Sequence, residues 1–428
     1  MKPKETEVFH QQVAEKLLGF PTLNILCSLA ETGLHEQLGN GGIVVNDTVS
    51  KRAFGPEKVM AGNLGFLYAT NQLDKNETGR YVLPEKTIIN DRHILTALQL
   101  REELRRLSED WRLVAEIDLK AFLPELRTAL AVPLIGIIEE NEQRYRSLEK
   151  PLTSLGLADE DGLNAIGARL LGHRVIGSYR NLSYSYEEAI NHLTEVIENP
   201  QTMQFGGSLA RNEKRNALSS NELIANVVPR LATYLQRAAR TRLVDFGSGG
   251  GHFAAGIGME TILFDRSAIA NQEALQTFAV RPELIKGMVT GSILDLEKMK
   301  EAKQAKPDVA TINYILHDIL GQPESFAEGV SLVKEFLLNY REVFGQMPLL
   351  ITESWDVSWD HLREANKPYI TLFQWLHEIS PQRLMDGGTL ADILIECEFM
   401  IREVIDHGFL PINGEQVPVN QTLVAVAQ

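Results

Sequence analysis

The sequence predicts an α/β fold: a doubly wound, mainly parallel sheet in its C-terminal part, preceded by a long helical N-terminal part. Three observations predict it. From Arg240 onward short apolar runs alternate with helical stretches, the pattern of parallel strands joined by crossover helices. The first of these runs leads into Asp245-Phe246-Gly247-Ser248-Gly249-Gly250-Gly251, a glycine loop between strand and helix. Before Arg240 the apolar residues recur mostly at helical spacing instead.

Taken in order, Val8, Val13, Leu17 and Leu18 mark a first helix. A second is expected from Thr22 to Leu38, stopped by Gly39. Gly55-Pro56 opens a third, through Met60, Leu64, Leu67 and Tyr68. The turn Asn76-Glu77-Thr78-Gly79 joins Gln72-Leu73 to Tyr81-Val82-Leu83 as a β-wing. Residues 1–95 therefore read as a winged-helix-like helical domain. Residues 96–235 read as a helical insert or lid. Leu98, Leu100, Leu104, Leu107, Trp111 and Leu113 line one of its faces, Asp159–Gly162 is a loop, and Asn199-Pro200 is a break. Residues 236–428 form the ligand-binding core. Its strands are expected at Leu243–Phe246, Thr261–Asp265, Asp308–Ile312 and Leu349–Thr352, closed by an antiparallel pair, Met400–Ile405 and Thr422–Ala427.

Composition narrows the function. The chain has 428 residues, 44% hydrophobic and 23% charged, so it has material for a sizeable core. Its net charge of −15 opposes phosphate backbones and anionic lipid. A winged module often binds DNA, yet residues 1–95 carry ten Lys and Arg against eleven Asp and Glu. The would-be recognition helix offers only Glu57 and Lys58, so a packing or dimerisation role is expected and no nucleic acid. Cys27 and Cys397 are too few for a disulfide framework or a four-thiolate zinc site and read as core, which suits a cytoplasmic setting. The longest apolar stretch, Ala129–Ile138, contains Pro133 and falls short of the ~20 residues of a spanning helix, so no membrane segment is expected.

The glycine loop carries the chemistry. Its spacing is Asp-x-Gly-x-Gly-x-Gly, with an acid two residues before the first glycine. That acid would repel a pyrophosphate and suits a cationic amino group. S-adenosylmethionine carries an ammonium, a sulfonium and a ribose. Asp265 ends the next strand about 20 residues on, where a carboxylate accepts ribose hydroxyls. A plain tight turn is the competing reading.

On these residues the sequence resembles class I S-adenosylmethionine-dependent methyltransferases, with a Rossmann-like core. The N-terminal part resembles the dimerisation domain of small-molecule O-methyltransferases. The resemblance implies that Asp245, Gly247, Gly249 and Gly251 surround the methionine part of the cofactor and that Asp265 holds the ribose. Phe246 and Asn313 are counted with the cofactor-binding residues. Many relatives place Gly-Asp beside the adenine; here the pair is Gly291-Ser292, so Ser292 or the Ile293 amide takes that place, with Asp295 a lesser candidate.

Asn313-Tyr314-Ile315-Leu316-His317-Asp318 follows a strand, where imidazole suits a general base. The O-methyltransferase resemblance implies that a His317-Asp318 pair includes that base. Phe373-Gln374-Trp375-Leu376-His377-Glu378-Ile379-Ser380-Pro381-Gln382 offers a second histidine. The sequence also resembles mononuclear-iron C-methyltransferases, including those of polyketide synthase loading modules of the apratoxin type. That resemblance implies iron or manganese held by His377 and Gln382, with His317 a further ligand. It implies methylation of the α-carbon of a malonyl-type acyl group on an acyl carrier protein, with an enolate stabilised by the metal. A metal-free O-methyltransferase with His317 as base is the alternative, and a cofactor-binding regulator a third reading. Trp355, Trp359 and Trp375 suggest an apolar substrate wall. Arg101, Arg105, Arg106 and Arg112 are the candidate patch for an acidic carrier. His252, His173-Arg174 and Tyr179-Arg180 are minor candidates for substrate contacts.

Overall fold

The computed structural model describes residues 3–40, 42–45, 54–84, 91–172, 181–204, 207–212, 216, 223–321 and 325–428. His173, Arg174, Tyr179 and Arg180 lie outside the described residues. The chain divides into two compact units. Met1–Val49, Gly55–Ser219 and Leu362–Ser380 make the first; Ser50–Phe54, Ser220–His361 and Pro381–Gln428 make the second. Among the described residues no helix is long and apolar enough to cross a membrane.

In the first unit, one helix runs from Pro3 to Glu31, where the sequence suggests two. Burial of Leu17, Phe20, Leu23 and Leu26 outweighs the hydrogen bond that Pro21 cannot donate. The break comes instead at Gly33, whose φ of 70° turns the chain into the short helix Leu34–Gly39. A wing forms, but its first strand is Asp74–Lys75 and not the expected Gln72-Leu73; it pairs antiparallel with Tyr81–Val82. In the insert, the helix Asp91–Glu109 buries Leu100, Leu104 and Leu107. The loop expected at Asp159–Gly162 is the tip of a two-residue hairpin, Ala158–Asp159 with Gly162–Leu163.

The would-be recognition helix, Pro56–Ala69, is consumed by packing. Lys58, 2% exposed, donates from Nζ to the carbonyls of His377 (2.8 Å) and Ser380 (3.2 Å), closing the end of the helix Pro368–Glu378. Asn63 Oδ1 accepts from Trp375 Nε1 at 2.9 Å, and Phe66 lies 5.1 Å from the Trp375 ring. A Cβ on Gly62 would stand 2.4 Å from Glu378 Cβ, so only glycine permits this approach. The wing is tied to the same segment, with Arg363 Nη1 donating to the Leu73 carbonyl at 2.8 Å.

The second unit is built on seven strands: β1 (Arg242–Phe246), β2 (Glu260–Asp265), β3 (Ile285–Thr290), β4 (Val309–Asn313), β5 (Leu349–Ser354), β6 (Phe399–Ile412) and β7 (Glu415–Ala427). Their order is β3-β2-β1-β4-β5-β7-β6. The first five are parallel; β7 runs antiparallel to β5, and β6 antiparallel to β7. β3 has no counterpart among the expected strands. Its Ile-Lys-Gly-Met-Val-Thr is half-exposed, so it lacks the apolar run that marks a central strand. The closing hairpin is longer than expected, because its outer half pairs only with itself.

Side chains alternate between two cores. Val244, Phe246, Phe264, Ile312 and Ile351 fill one face; Leu243, Leu263, Val309, Leu350 and Val424 fill the other. The five parallel strands share one carboxyl edge. Gly247–Gly251, Asp265, Gly291–Asp295, Asn313–His317 and Glu353 all gather there, where open α/β sheets bind ligands.

Candidate active site

The glycine loop is shaped by backbone geometry. Gly247, Gly249 and Gly251 have φ of 69°, 50° and 71°, the left-handed region that side chains disfavour. A Cβ on Gly247 would also lie 2.5 Å from Ile315 Cγ1. The N–H groups of Gly247 and Ser248 both donate to the Phe264 carbonyl, at 2.8 and 3.1 Å, which folds the loop over the end of β2. The acids of the motif frame it. Asp265 Oδ2 accepts from the Gly249 N–H at 2.9 Å and Oδ1 from the Ser267 N–H at 2.8 Å. Each oxygen keeps a further lone pair for a hydroxyl.

Asp245 is buried, and its Oδ1 accepts from Thr311 Oγ1 (2.7 Å) and Asn313 Nδ2 (3.3 Å). Burial pushes its carboxyl up to about 7; those two donors oppose the shift and the charge of Asp265 adds to it. Beside it, Ser248 Oγ and Asn313 Oδ1 are buried and have no hydrogen-bond partner among the described residues. A buried acid flanked by unsatisfied oxygen acceptors fits a cationic ammonium. The residues present therefore fit the methionine end of S-adenosylmethionine.

Two cofactor expectations change in detail. The Phe246 ring is buried 5.1 Å from Phe264 and 5.7 Å from Phe336, so this residue offers the cofactor only backbone. Strand alternation forces this, because Asp245 and Phe246 face opposite sides of the sheet. Ser292 is exposed at the β3 edge, where its Oγ accepts from the Leu294 N–H at 3.2 Å. Ile293 beside it is half-buried. Asp295 is occupied as a helix cap, accepting from the N–H groups of Glu297 and Lys298.

His317 is buried, and its partner is not Asp318. Nδ1 donates to Glu353 Oε2 at 2.9 Å, while Glu353 Oε1 accepts from the Leu316 N–H at 2.7 Å. Consecutive residues of a helix point apart, so Asp318 cannot orient the ring beside it. Its carboxylate accepts instead from Gln382 Nε2 at 2.7 Å. With Nδ1 protonated toward Glu353, Nε2 is the basic nitrogen. Tyr314, three residues earlier, has φ of 56°, a conformation rare outside glycine that turns the chain from β4 into the helix Leu316–Gly321. Glu353 had no assigned role in the sequence. The available signal was a carboxylate ending the strand next to the one that leads into His317.

The expected metal ligands are divided between the two units. Gln382 directs its amide at Asp318, and His317 is fixed on Glu353. His377 belongs to the first unit, where its Nδ1 donates to the Phe373 carbonyl at 2.8 Å. Among the described residues no three His, Cys, Asp or Glu side chains come together as a metal site. Gln382 is not of these types, and the hydrogen bonds above use Nδ1 of His317 and His377 and Nε2 of Gln382, not the His Nε2 and Gln Oε1 atoms that would meet a metal.

Of the three tryptophans expected as a wall, two are buried. Trp375 is wholly buried against Phe66, and Trp355, 5% exposed, donates from Nε1 to Gln421 Oε1 at 2.7 Å. Trp359 is half-buried. The four arginines are engaged within the first unit. Arg101 pairs with Glu31, Arg106 with Glu103 (2.9 Å) and Arg112 with Asp110 (2.7 Å), and Arg105 donates to the Asn191 carbonyl (2.8 Å). His252 is exposed beside Thr277. Cys27 and Cys397 are buried thiols, and burial pushes that of Cys27 up to about 12.

No family model and no curated protein matches the chain. Solved structures similar to it include the mitomycin 7-O-methyltransferase MmcR, 15% identical over 78% of this chain and 99% of that one, with a TM-score of 0.48. TnmH is 15% identical over 76% and 98%, with a TM-score of 0.49. The CurJ carbon methyltransferase is 14% identical over 100% and 94%, with a TM-score of 0.40. The strand order and directions decide the architecture. The second unit has the Rossmann-like class I methyltransferase fold. Likeness at this level carries no argument about activity, which must be argued from the site.

Proposed function

We propose that the chain is an S-adenosylmethionine-dependent methyltransferase in which His317, oriented by Glu353, is the general base. The single observation that carries this reading is the buried His317–Glu353 hydrogen bond at the same sheet edge as the Asp245 glycine loop. When bound, S-adenosylmethionine supplies an electrophilic methyl group on a sulfonium. Asp245, with Ser248 and Asn313, holds the cationic amino end, and Asp265 accepts the ribose hydroxyls. Gly247 leaves the space that a side chain would fill. Ser292 and the Ile293 amide would hold the adenine.

His317 Nε2 would take the proton of the acceptor group, whose electron pair would form the new bond to the methyl carbon as the bond from that carbon to the sulfonium breaks and its electron pair leaves on sulfur. Glu353 stays ionised and offsets the charge of the imidazolium. A base of this kind serves an acidic C–H beside a carbonyl as well as a hydroxyl. The finer reading is methylation of the α-carbon of a malonyl-type acyl group on an acyl carrier protein, in natural-product biosynthesis. The sequence resemblance supports it, and the exposed Arg112 of the insert remains a candidate for docking an acidic carrier. Purified protein supplied with S-adenosylmethionine and either a malonyl carrier or phenolic acceptors tests this by mass spectrometry. A new C–CH3 group supports the finer reading, and methyl ether formation supports O-methylation. Full retention of methyl transfer by His317→Ala with either acceptor overturns the base assignment. Activity lost on chelation and restored by iron or manganese would support the metal-assisted form.

A further inference from the structure

Seven of the described residues other than glycine have positive φ. Asn71, Ala239, Lys306, Asn366 and Glu398 follow the ends of helices, and Asn413 turns the closing hairpin, where the left-handed region is an ordinary cap or turn. Tyr314 is different. It precedes a helix, between β4 and Leu316–Gly321, at the ligand-binding edge of the second unit. An aromatic residue at φ of 56° is strained, and such strain persists only where neighbouring groups hold it.

The Tyr314 N–H donates to the Thr352 carbonyl at 2.9 Å, which continues the β4–β5 ladder past Asn313. Its phenol oxygen accepts from Asn420 Nδ2 at 2.6 Å. Asn420 is on β7, and β5 lies between β4 and β7, so the phenol reaches across β5. Asn420 shares a face of β7 with Thr422 and with Val424 of the core. Thr422 Oγ1 lies 2.7 Å from Thr352 Oγ1, and both threonines are wholly buried, so the anchor stands on a packed part of the sheet. Beyond Tyr314 the chain brings the Leu316 N–H and the His317 ring to the two oxygens of Glu353. A rotation about the φ of Tyr314 would swing both away. Resting on the assignment of His317 as base, we propose that Asn420 is a positioning residue for methyl transfer: its bond to the Tyr314 phenol holds the left-handed turn that brings His317 to Glu353.

Single-turnover methyl transfer by the full chain tests the proposal, with the acceptor class, malonyl carrier or phenol, that the wild-type chain methylates. Rates are compared well below the melting temperature of every variant. Asn420→Ala is expected to slow transfer roughly tenfold to a hundredfold. KM for the acceptor and the cofactor Kd by calorimetry should stay within a factor of a few of wild type. A purely structural bond would lower the melting temperature and leave the rate of the folded chain unchanged. Tyr314→Phe, which removes only the hydroxyl, should match Asn420→Ala, and the double variant should be no slower than either. In the Asn420→Ala background Tyr314→Gly should be faster than Tyr314→Phe, because glycine takes this φ without an anchor. A wild-type rate in folded Asn420→Ala or Tyr314→Phe overturns the proposal, as do losses that multiply in the double variant. Where Asn420→Ala does not fold, Tyr314→Phe carries the test, and failure of both to fold also overturns it. Activity retained by His317→Ala refutes the base assignment instead, which separates the two failures.

Discussion

Glu353 holds His317 at two points: Oε2 accepts from the ring Nδ1 at 2.9 Å, and Oε1 accepts from the Leu316 N–H at 2.7 Å. One carboxylate thus sets both the start of the helix and the tautomer of its histidine. Replacing Glu353 with Gln leaves a side chain of the same size whose amide competes as a donor. Methyl transfer should fall roughly 10²–10⁴-fold, with cofactor affinity within a factor of a few of wild type. Single-turnover kinetics with separate calorimetry measure the two.

Asp245 predicts pH-dependent cofactor binding. Its carboxyl is pushed up to about 7, and a cationic ligand prefers the ionised form. Affinity should rise with pH up to about 7 and then level off; Asp245→Asn should be weak and flat. In the ligand-free protein the sign is opposite. Between 3.8 and about 7 the folded state holds a proton that the unfolded state has lost, so stability falls as pH rises through that window. Thermal melts across pH 4–8, with and without cofactor, read both effects.

Gly247→Ala combines a left-handed φ with a Cβ 2.5 Å from Ile315. A loss of about 1–3 kcal/mol is expected in denaturant titrations. Cofactor binding should weaken in parallel, since the loop must shift. Normal affinity would show that Ile315 yields without cost.

Lys58→Met removes the donor to two buried carbonyls in the first unit. Stability should drop by about 1–3 kcal/mol. The intact chain should show no DNA retention even at low salt, because the helix that would enter a groove carries only Glu57 and Lys58 as charges, and Lys58 is buried. Salt-dependent DNA binding that Lys58→Met abolishes would contradict this packing.

Much of the site was legible because it depends on local chain geometry. Glycines with positive φ, an acid before them and a carboxylate one strand later are properties of short segments, and the structure brings them to one edge. Partnership was less legible. Asp318 looked like the companion of His317 because it is adjacent in sequence, and adjacency on a helix separates side chains. Glu353 lies 36 residues away and becomes the partner because β4 and β5 are hydrogen-bonded neighbours. Gln382 and His377 are expected as ligands from the resemblance alone; the bond of His377 Nδ1 to the Phe373 carbonyl follows from helical spacing, whereas that of Gln382 to Asp318 depends on the fold.

The sequence alone determined the α/β class, the closing antiparallel pair, the glycine loop with Asp245 and Asp265, and the location of His317 after a strand. These follow from local backbone preferences and the period of the apolar residues. Tertiary structure alone decided that Glu353 bonds the His317 ring and that Lys58 caps a helix more than 300 residues away. Side-chain partners of this kind are set by which strands and helices become neighbours, and that choice belongs to the packed core.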